Sequence, residues 1–280
     1  MTPPVTAPAR PDSLSQTLAT QVAALLPTRV GVPWTVELGS AWWTTKPAAR
    51  LTQNTRSLVL VWNPWHTDLA WELPDRVPYR PDLRSERLAP ARVARDVLRL
   101  VLPVLDDEAA RSRPNDDAGA RLAVLAEIGA AMRAQGAATY ERGGLLVNTS
   151  TVTWSSSGCR YSATLHGSNP VADVQVEGPV RAVERAVVHF LPEAGEGRPR
   201  VPDGIRGRLQ RRMAAVLARH GHVEQTERGG LAFGTGPGPY GYAAPAFDPQ
   251  SRAHDTTPAS VDLHGVGVDF LISLAPYLAR

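Results

Sequence analysis

The chain has 280 residues, of which 43% are hydrophobic and 20% are charged. This apolar content excludes a chain that is disordered throughout, and the lack of an apolar run of about 20 residues argues against a transmembrane helix. The formal net charge is only +3, and Lys46 is the sole lysine among 30 basic residues, so arginine carries nearly all of the positive charge.

The amino-terminal residues 1–11 are rich in proline and small residues, which predicts a flexible arm. They lack the apolar core of a signal peptide, so we expect no export by that route. The lone cysteine, Cys159, cannot form an internal disulfide, which favours a reducing, cytoplasmic location. We also expect no membrane association.

Residues 12–107 predict a first α/β unit. A serine and a glutamine three residues later, Ser13 and Gln16, form a capping box at the start of a helix whose leucines and valine recur at helical spacing. Apolar and alternating segments then predict strands, and a second helix closes the unit. The predicted strands are Trp34 to Leu38, Ser57 to Trp62 and Asp68 to Leu73, and the closing helix runs from about Ala91 to Leu105.

The pentapeptide ERGGL occurs twice, beginning at Glu141 and Glu227. Each copy follows an amphipathic segment and precedes an alternating strand and an apolar helix, as expected for an internal repeat. We therefore predict an α+β fold of three tandem units, each a helix, two or three antiparallel strands and a helix. The units cover residues 12–107, 118–194 and 204–280, joined by linkers at 108–117 and 195–203, and they could pack as one body. The alternative is one mixed α/β domain in which the pentapeptide recurs by chance.

Chemical motifs are scarce in this sequence. His220 and His222 lie two residues apart, but no third ligand stands at a metal-binding spacing. We predict no catalytic residue, no metal ligand and no cofactor. An enzyme whose site forms between units is the least favoured of the functions considered.

Residues 206–222 contain five arginines, and no acidic residue lies between Asp203 and Glu224. On a helix, the apolar residues of this segment occupy one face and four arginines the opposite one. We name these four the arginine stripe: Arg208, Arg211, Arg212 and Arg219. A cationic stripe suits phosphates or an acidic protein, although a solvated helix face gives the same pattern.

Residues 42–66 combine tryptophans with cations, and no acidic residue lies between Glu37 and Asp68. Single-stranded nucleic-acid binders use such a combination, because indoles stack on bases while cations follow the backbone. The alternative is that the tryptophans build a core. The candidates in this aromatic-basic stretch are Trp42, Trp43, Lys46, Arg50, Arg56 and Trp65.

The leading prediction is a non-enzymatic protein that binds nucleic acid, with DNA favoured over RNA, through the arginine stripe and the aromatic-basic stretch. The competing prediction is a protein–protein adaptor, chaperone-like or an assembly module, whose partner is acidic. The sequence leaves the oligomeric state open.

Overall fold

The structure is a computed structural model that describes residues 11–86, 88–111, 118–144, 148–167, 169–195, 201–236, 238–245 and 253–280. The chain divides into two compact units, residues 1–105 and 106–280. Both contain helices and antiparallel sheet, which confirms the α+β class. Within the described ranges, no helix has the length and apolar character needed to cross a membrane.

Parts of the predicted arm and linkers lie outside the described residues. These parts are residues 1–10 of the arm, 112–117 of the first linker and 196–200 of the second. A helix covers the first four residues of the first linker, because it continues to Arg111.

The first unit is built on a five-stranded antiparallel meander in which each strand pairs with the next along the chain. In chain order, its elements are α1 (Pro11–Ala23), β1 (Thr35–Ala41), β2 (Thr44–Gln53), β3 (Arg56–Trp62), β4 (Thr67–Glu72), β5 (Leu83–Ser85), α2 (Pro90–Asp96), a π-helical segment (Val97–Val101) and α3 (Leu102–Arg111). The end of α3 lies beyond the boundary at residue 105. The unit thus contains five strands, whereas the sequence predicts two or three.

The central strand β3 is apolar on both faces, and its residues 58–61 are all buried. Helix α1 packs on this sheet, and the buried Ser15 hydroxyl donates to the carbonyl oxygen of Pro47 at 2.9 Å. The Ser15 hydroxyl oxygen in turn accepts from the backbone N–H of Trp62 at 3.2 Å. Val59 and Val61 belong to a small core cluster against which Trp43 packs.

The second unit is built on one eight-stranded antiparallel sheet in the order β10-β11-β12-β13-β9-β8-β7-β6. Its elements are α4 (Ala118–Ala134), β6 (Thr139–Arg142), β7 (Thr149–Ser156), β8 (Cys159–His166), β9 (Val171–Pro179), α5 (Val180–Val187), α6 (Arg208–Leu217), β10 (Val223–Gln225), β11 (Leu231–Phe233), β12 (Tyr240–Pro245), β13 (Pro258–Gly267), α7 (Val268–Ser273) and α8 (Ala275–Leu278). Strands β9 and β13 pair at the middle of the sheet, with a register shift between Leu263 and Val266.

Residues 118–187 and 208–273 each run in the order helix, four strands, helix. The first ERGGL begins in β6, whereas the second begins in the turn between β10 and β11. Tandem repetition of a common unit, and with it the three predicted domains, stays a prediction.

The eight-stranded sheet has two different faces, because side chains alternate along each strand. One face is apolar and buried, and includes Val152, Val174, Val176, Val261 and Leu263. The helices of this unit also bury apolar residues. The opposite, outer face carries mainly polar side chains that are half-buried or exposed.

Candidate functional site

Two of the predicted tryptophans are strongly exposed in turns of the first unit. Trp42 lies between β1 and β2 and is 77% exposed, and Trp65 lies between β3 and β4 and is 84% exposed. In a meander, these two turns lie at the same end of the sheet. We name residues 42–43 and 63–66 the tryptophan turns.

The turn of Trp65 is held by hydrogen bonds that meet at Asn63, which is only 5% exposed. Lys46 Nζ donates to Asn63 Oδ1, and Asn63 Nδ2 donates to Asp68 Oδ2 at 3.1 Å. The Asn63 backbone N–H donates to the carbonyl oxygen of His66 at 3.0 Å, which closes the turn that carries Trp65. Such bonds fix the turn of Trp65 and tie it to Lys46 on β2, the strand that follows Trp42, which lowers the entropic cost of binding.

The arginines of the aromatic-basic stretch are already engaged. Arg50 forms two hydrogen bonds to Glu72, at 2.8 and 3.0 Å, and lies 3.6 Å from a Glu37 carboxylate oxygen. Arg56 Nη1 donates to Gln53 Oε1 at 3.0 Å. The stretch is therefore free of acids in sequence but not in space, because neighbouring strands place carboxylates beside it.

The Arg50–Glu72 pair shifts the pKa of both partners. The hydrogen bond to Glu72 raises the pKa of Arg50 above its ordinary value. Burial alone would raise the pKa of Glu72, but hydrogen bonds from Arg50 and Ser57 bring that pKa below its ordinary value. Both groups are thus held in their charged forms.

Helix α6 carries three members of the arginine stripe, and Arg219 follows its end. Arg212 is half-buried and binds both carboxylate oxygens of Glu184 at 2.7 Å, and Asp255 at 2.8 Å. The hydrogen bond to Glu184 raises the pKa of Arg212, and the hydrogen bond from Arg212 lowers the pKa of Asp255. Arg212 therefore fastens α6 to α5 and to the segment before β13.

The other three arginines of the stripe are exposed. Arg211 Nε donates to the carbonyl oxygen of Ile205 at 2.9 Å. Arg208 and Arg219 make no side-chain hydrogen bond or ion pair with any residue in the described part of the chain. The structure thus leaves part of the stripe available to an anion.

A third group of side chains, which sequence reasoning missed, lies on the outer face of the eight-stranded sheet. Asp173 lies 2.9 Å from His264 Nδ1 and 3.0 Å from His166 Nε2, one histidine at each carboxylate oxygen. The rings of Tyr240 and Tyr242 lie 5.5 and 6.2 Å from that of His264. The only sequence signal for this group is that its members occupy the polar positions of strands in which polar and apolar residues alternate.

Neither a metal site nor an activated thiol is found among the described residues. No group of three or more histidine, cysteine, aspartate or glutamate side chains in these ranges could hold a metal ion. Cys159 is buried, and burial raises the pKa of its thiol above the ordinary value, which disfavours the nucleophilic thiolate.

Comparison with protein-family models gives no match to this sequence, and comparisons with curated proteins and with solved structures give none either.

Proposed function

We propose that the chain is a non-enzymatic, cytoplasmic protein-binding adaptor, chaperone-like or part of an assembly, that docks a partner on its tryptophan turns. The observation that supports this proposal is the exposure of Trp42 and Trp65 at one end of the five-stranded sheet. Tryptophan is enriched among the residues that dominate binding energy at protein interfaces. Two exposed indoles at one end of the sheet, one of them on the turn fixed by Asn63, suit a partner surface with apolar pockets.

The charge around the tryptophan turns favours a protein over a polyanion. Lys46 donates to Asn63, and Arg50 is bound by Glu72. Asp68 adds a buried carboxylate beside the turn of Trp65 and accepts from Arg84 at 3.1 Å. A phosphate backbone would have to compete with these protein partners, whereas an apolar surface would not.

The test is co-purification of partners with the tagged full chain, followed by measurement of the Kd of each purified partner. We expect the double variant Trp42→Ala/Trp65→Ala to bind at least about 100-fold more weakly, which corresponds to about 2.7 kcal/mol. Tyr79→Ala is the matched control, because Tyr79 is equally exposed in the same unit but lies in another loop. Equal affinity of the wild type and the double variant for every recovered partner would contradict the proposal.

A second candidate function, nucleic-acid binding with DNA preferred to RNA, is favoured by the exposed arginines of the stripe. Because Arg212 is held by Glu184 and Asp255, three arginines rather than four remain for phosphates. Three neutralised phosphates predict a slope of log K against log salt of about −2.7 on duplex DNA.

Fluorescence anisotropy against duplex DNA, single-stranded DNA and RNA across a salt series tests this second function. Arg208→Glu/Arg219→Glu should abolish binding, whereas Arg142→Glu/Arg228→Glu makes the same charge change at two other exposed arginines. A flat salt response, or equal loss in both double variants, argues against a role for the stripe.

A further inference from the structure

The outer face of the eight-stranded sheet forms a continuous cross-strand row. Its members are direct neighbours on adjacent strands. In order, the row is Glu224, Ala232, Tyr242, Asp262, Gln175, Ser162, Thr153 and Tyr140. Seven strand spacings of about 4.8 Å make it about 34 Å wide. The outer face is therefore broad enough for a macromolecular partner.

Charge divides this outer face into two halves. On β9 to β13, the described outward positions carry four carboxylates and neither arginine nor lysine. These carboxylates are Asp173, Glu177, Glu224 and Asp262. On β6 to β8, the outward charges are Arg142 and Arg160. One half is thus acidic, and it is also the half that holds the two neighbouring tyrosines.

The tyrosines and carboxylates of the acidic half form one patch. Tyr240 and Tyr242 are two residues apart on β12, so they point to the same side, and they are 41% and 48% exposed. Tyr242 lies directly opposite Asp262 on one neighbouring strand and opposite the small Ala232 on the other. The short alanine side chain leaves the Tyr242 ring open on that flank.

The two carboxylates nearest the tyrosines differ in how they are held. Asp173 lies against His166 and His264, which orient it on the sheet. The Asp262 side chain has no hydrogen bond or ion pair with any described residue, although it is half-buried. A half-buried carboxylate without a partner is left for a donor from outside the chain.

We propose that this acidic-aromatic patch, Tyr240, Tyr242, Asp262 and Asp173, binds an arginine-bearing segment of a partner protein. A guanidinium is flat and carries five donors, so it can stack on a tyrosine ring while it donates to a carboxylate. Glu177 lies opposite Arg160 on the neighbouring strand, whereas Asp173, Glu224 and Asp262 have no arginine or lysine opposite them. These three carboxylates attract a basic segment and repel a nucleic acid. This site lies in the second unit, so the proposal does not depend on the tryptophan turns.

The test uses the full chain and a labelled glycine-serine peptide that carries three arginines. Its control is the same peptide with citrulline, which keeps the planar shape of arginine but has no charge. We expect the citrulline peptide to bind at least tenfold more weakly. The variants Asp262→Asn and Tyr242→Thr should each weaken arginine-peptide binding several-fold, and their double variant at least tenfold.

Matched variants separate the patch from general effects of charge and surface. Tyr140→Thr removes an exposed tyrosine from the same row in the other half of the face, and Glu227→Gln removes a carboxylate from an exposed turn. Both should leave the affinity unchanged. The proposal is overturned by equal binding of the two peptides, by equal losses in patch and control variants, or by no arginine-peptide binding at about 1 mM. Circular dichroism of each variant checks that the sheet is intact.

Discussion

The aromatic-basic stretch of the first unit and the arginine stripe of the second are alike in sequence, since neither contains an acidic residue. In the structure they differ. In the first, the arginines are engaged by Glu72, Glu37 and Gln53, and two indoles remain exposed. In the second, Arg212 is engaged, and the other three guanidinium groups remain exposed.

The difference lies in which elements meet each stretch. Arg50 lies on β2 and has carboxylate partners on two other strands of the sheet, Glu37 on the neighbouring β1 and Glu72 on β4, beyond β3. Helix α6 meets the carboxylates of Glu184 and Asp255 through Arg212, whereas the other arginines of the stripe are exposed. A segment without acidic residues therefore has cations that can bind a partner only where the fold places no carboxylate from another element beside them. The first stretch is left with an aromatic surface and the second with a cationic one.

The largest expected effect tests the difference between Trp43, which packs against the core cluster, and Trp42, which is exposed. Trp43→Ala removes an indole that packs on Ala41, Ala48, Val59 and Val61, and should cost about 2–3 kcal/mol of unfolding free energy, less than for a fully buried tryptophan. Trp42→Ala should cost less than about 0.5 kcal/mol, because that side chain is exposed. Urea unfolding followed by circular dichroism measures both.

Trp43→Phe sharpens this test. The buried Trp43 Nε1 has no hydrogen-bond partner among the described residues, so phenylalanine keeps most of the packing and loses no hydrogen bond. We expect it to recover more than half of the stability that alanine loses. Equal destabilisation by Trp42→Ala and Trp43→Ala would show that the two indoles do not differ as described.

The next effect tests the difference between Arg212, which is paired with carboxylates, and Arg208, which is exposed and has no such partner among the described residues. Arg212→Ala leaves the poorly exposed Glu184 carboxylate without its cation and should cost about 1–2 kcal/mol, reduced from the buried-pair value because solvent still reaches the site. Arg208→Ala should change stability by less than about 0.5 kcal/mol. Thermal unfolding of both variants checks this, and equal destabilisation would mean that Arg208 also has a structural role.

Much of the first unit could be predicted from sequence where the pattern is strong. Strands β3 and β4 match predicted strands closely because their apolar runs and alternation are clear. Strand β2 was missed, since TTKPAARLTQ has no regular alternation and contains Pro47, which normally disfavours a strand. Pro47 is tolerated because it precedes the β2–β3 ladder, which begins at Ala49, and lies in the register shift of the β1–β2 ladder between Ala48 and Thr44.

The candidate sites could be predicted only in part. The sequence makes Trp42, Trp43 and Trp65 equal candidates for contact with a ligand. Trp42 and Trp65 are exposed, whereas Trp43 packs against the small core cluster. Asp173 and His264 are 91 residues apart and meet only because β9 pairs with β13. A local sequence pattern cannot predict that pairing, because which strands pair depends on contacts across the whole sheet.

The smallest expected effect concerns the carboxylate that neutralises the aromatic-basic stretch. The pKa of Glu72 is lowered in the folded state, so its contribution to stability is present above the ordinary glutamate pKa and is lost as the pH falls through the folded-state pKa. Glu72→Gln should therefore cost about 1 kcal/mol at neutral pH and almost nothing in acid. The measurement is the urea midpoint of both proteins at several pH values between about 7 and 3.

Glu37→Gln is the control, because Glu37 lies farther from Arg50 and is more exposed. This substitution should have little effect on stability at any pH. If wild type and Glu72→Gln lose stability in parallel as the pH falls, then Glu72 does not hold Arg50 as described. Arg50 would then be free to bind a polyanion.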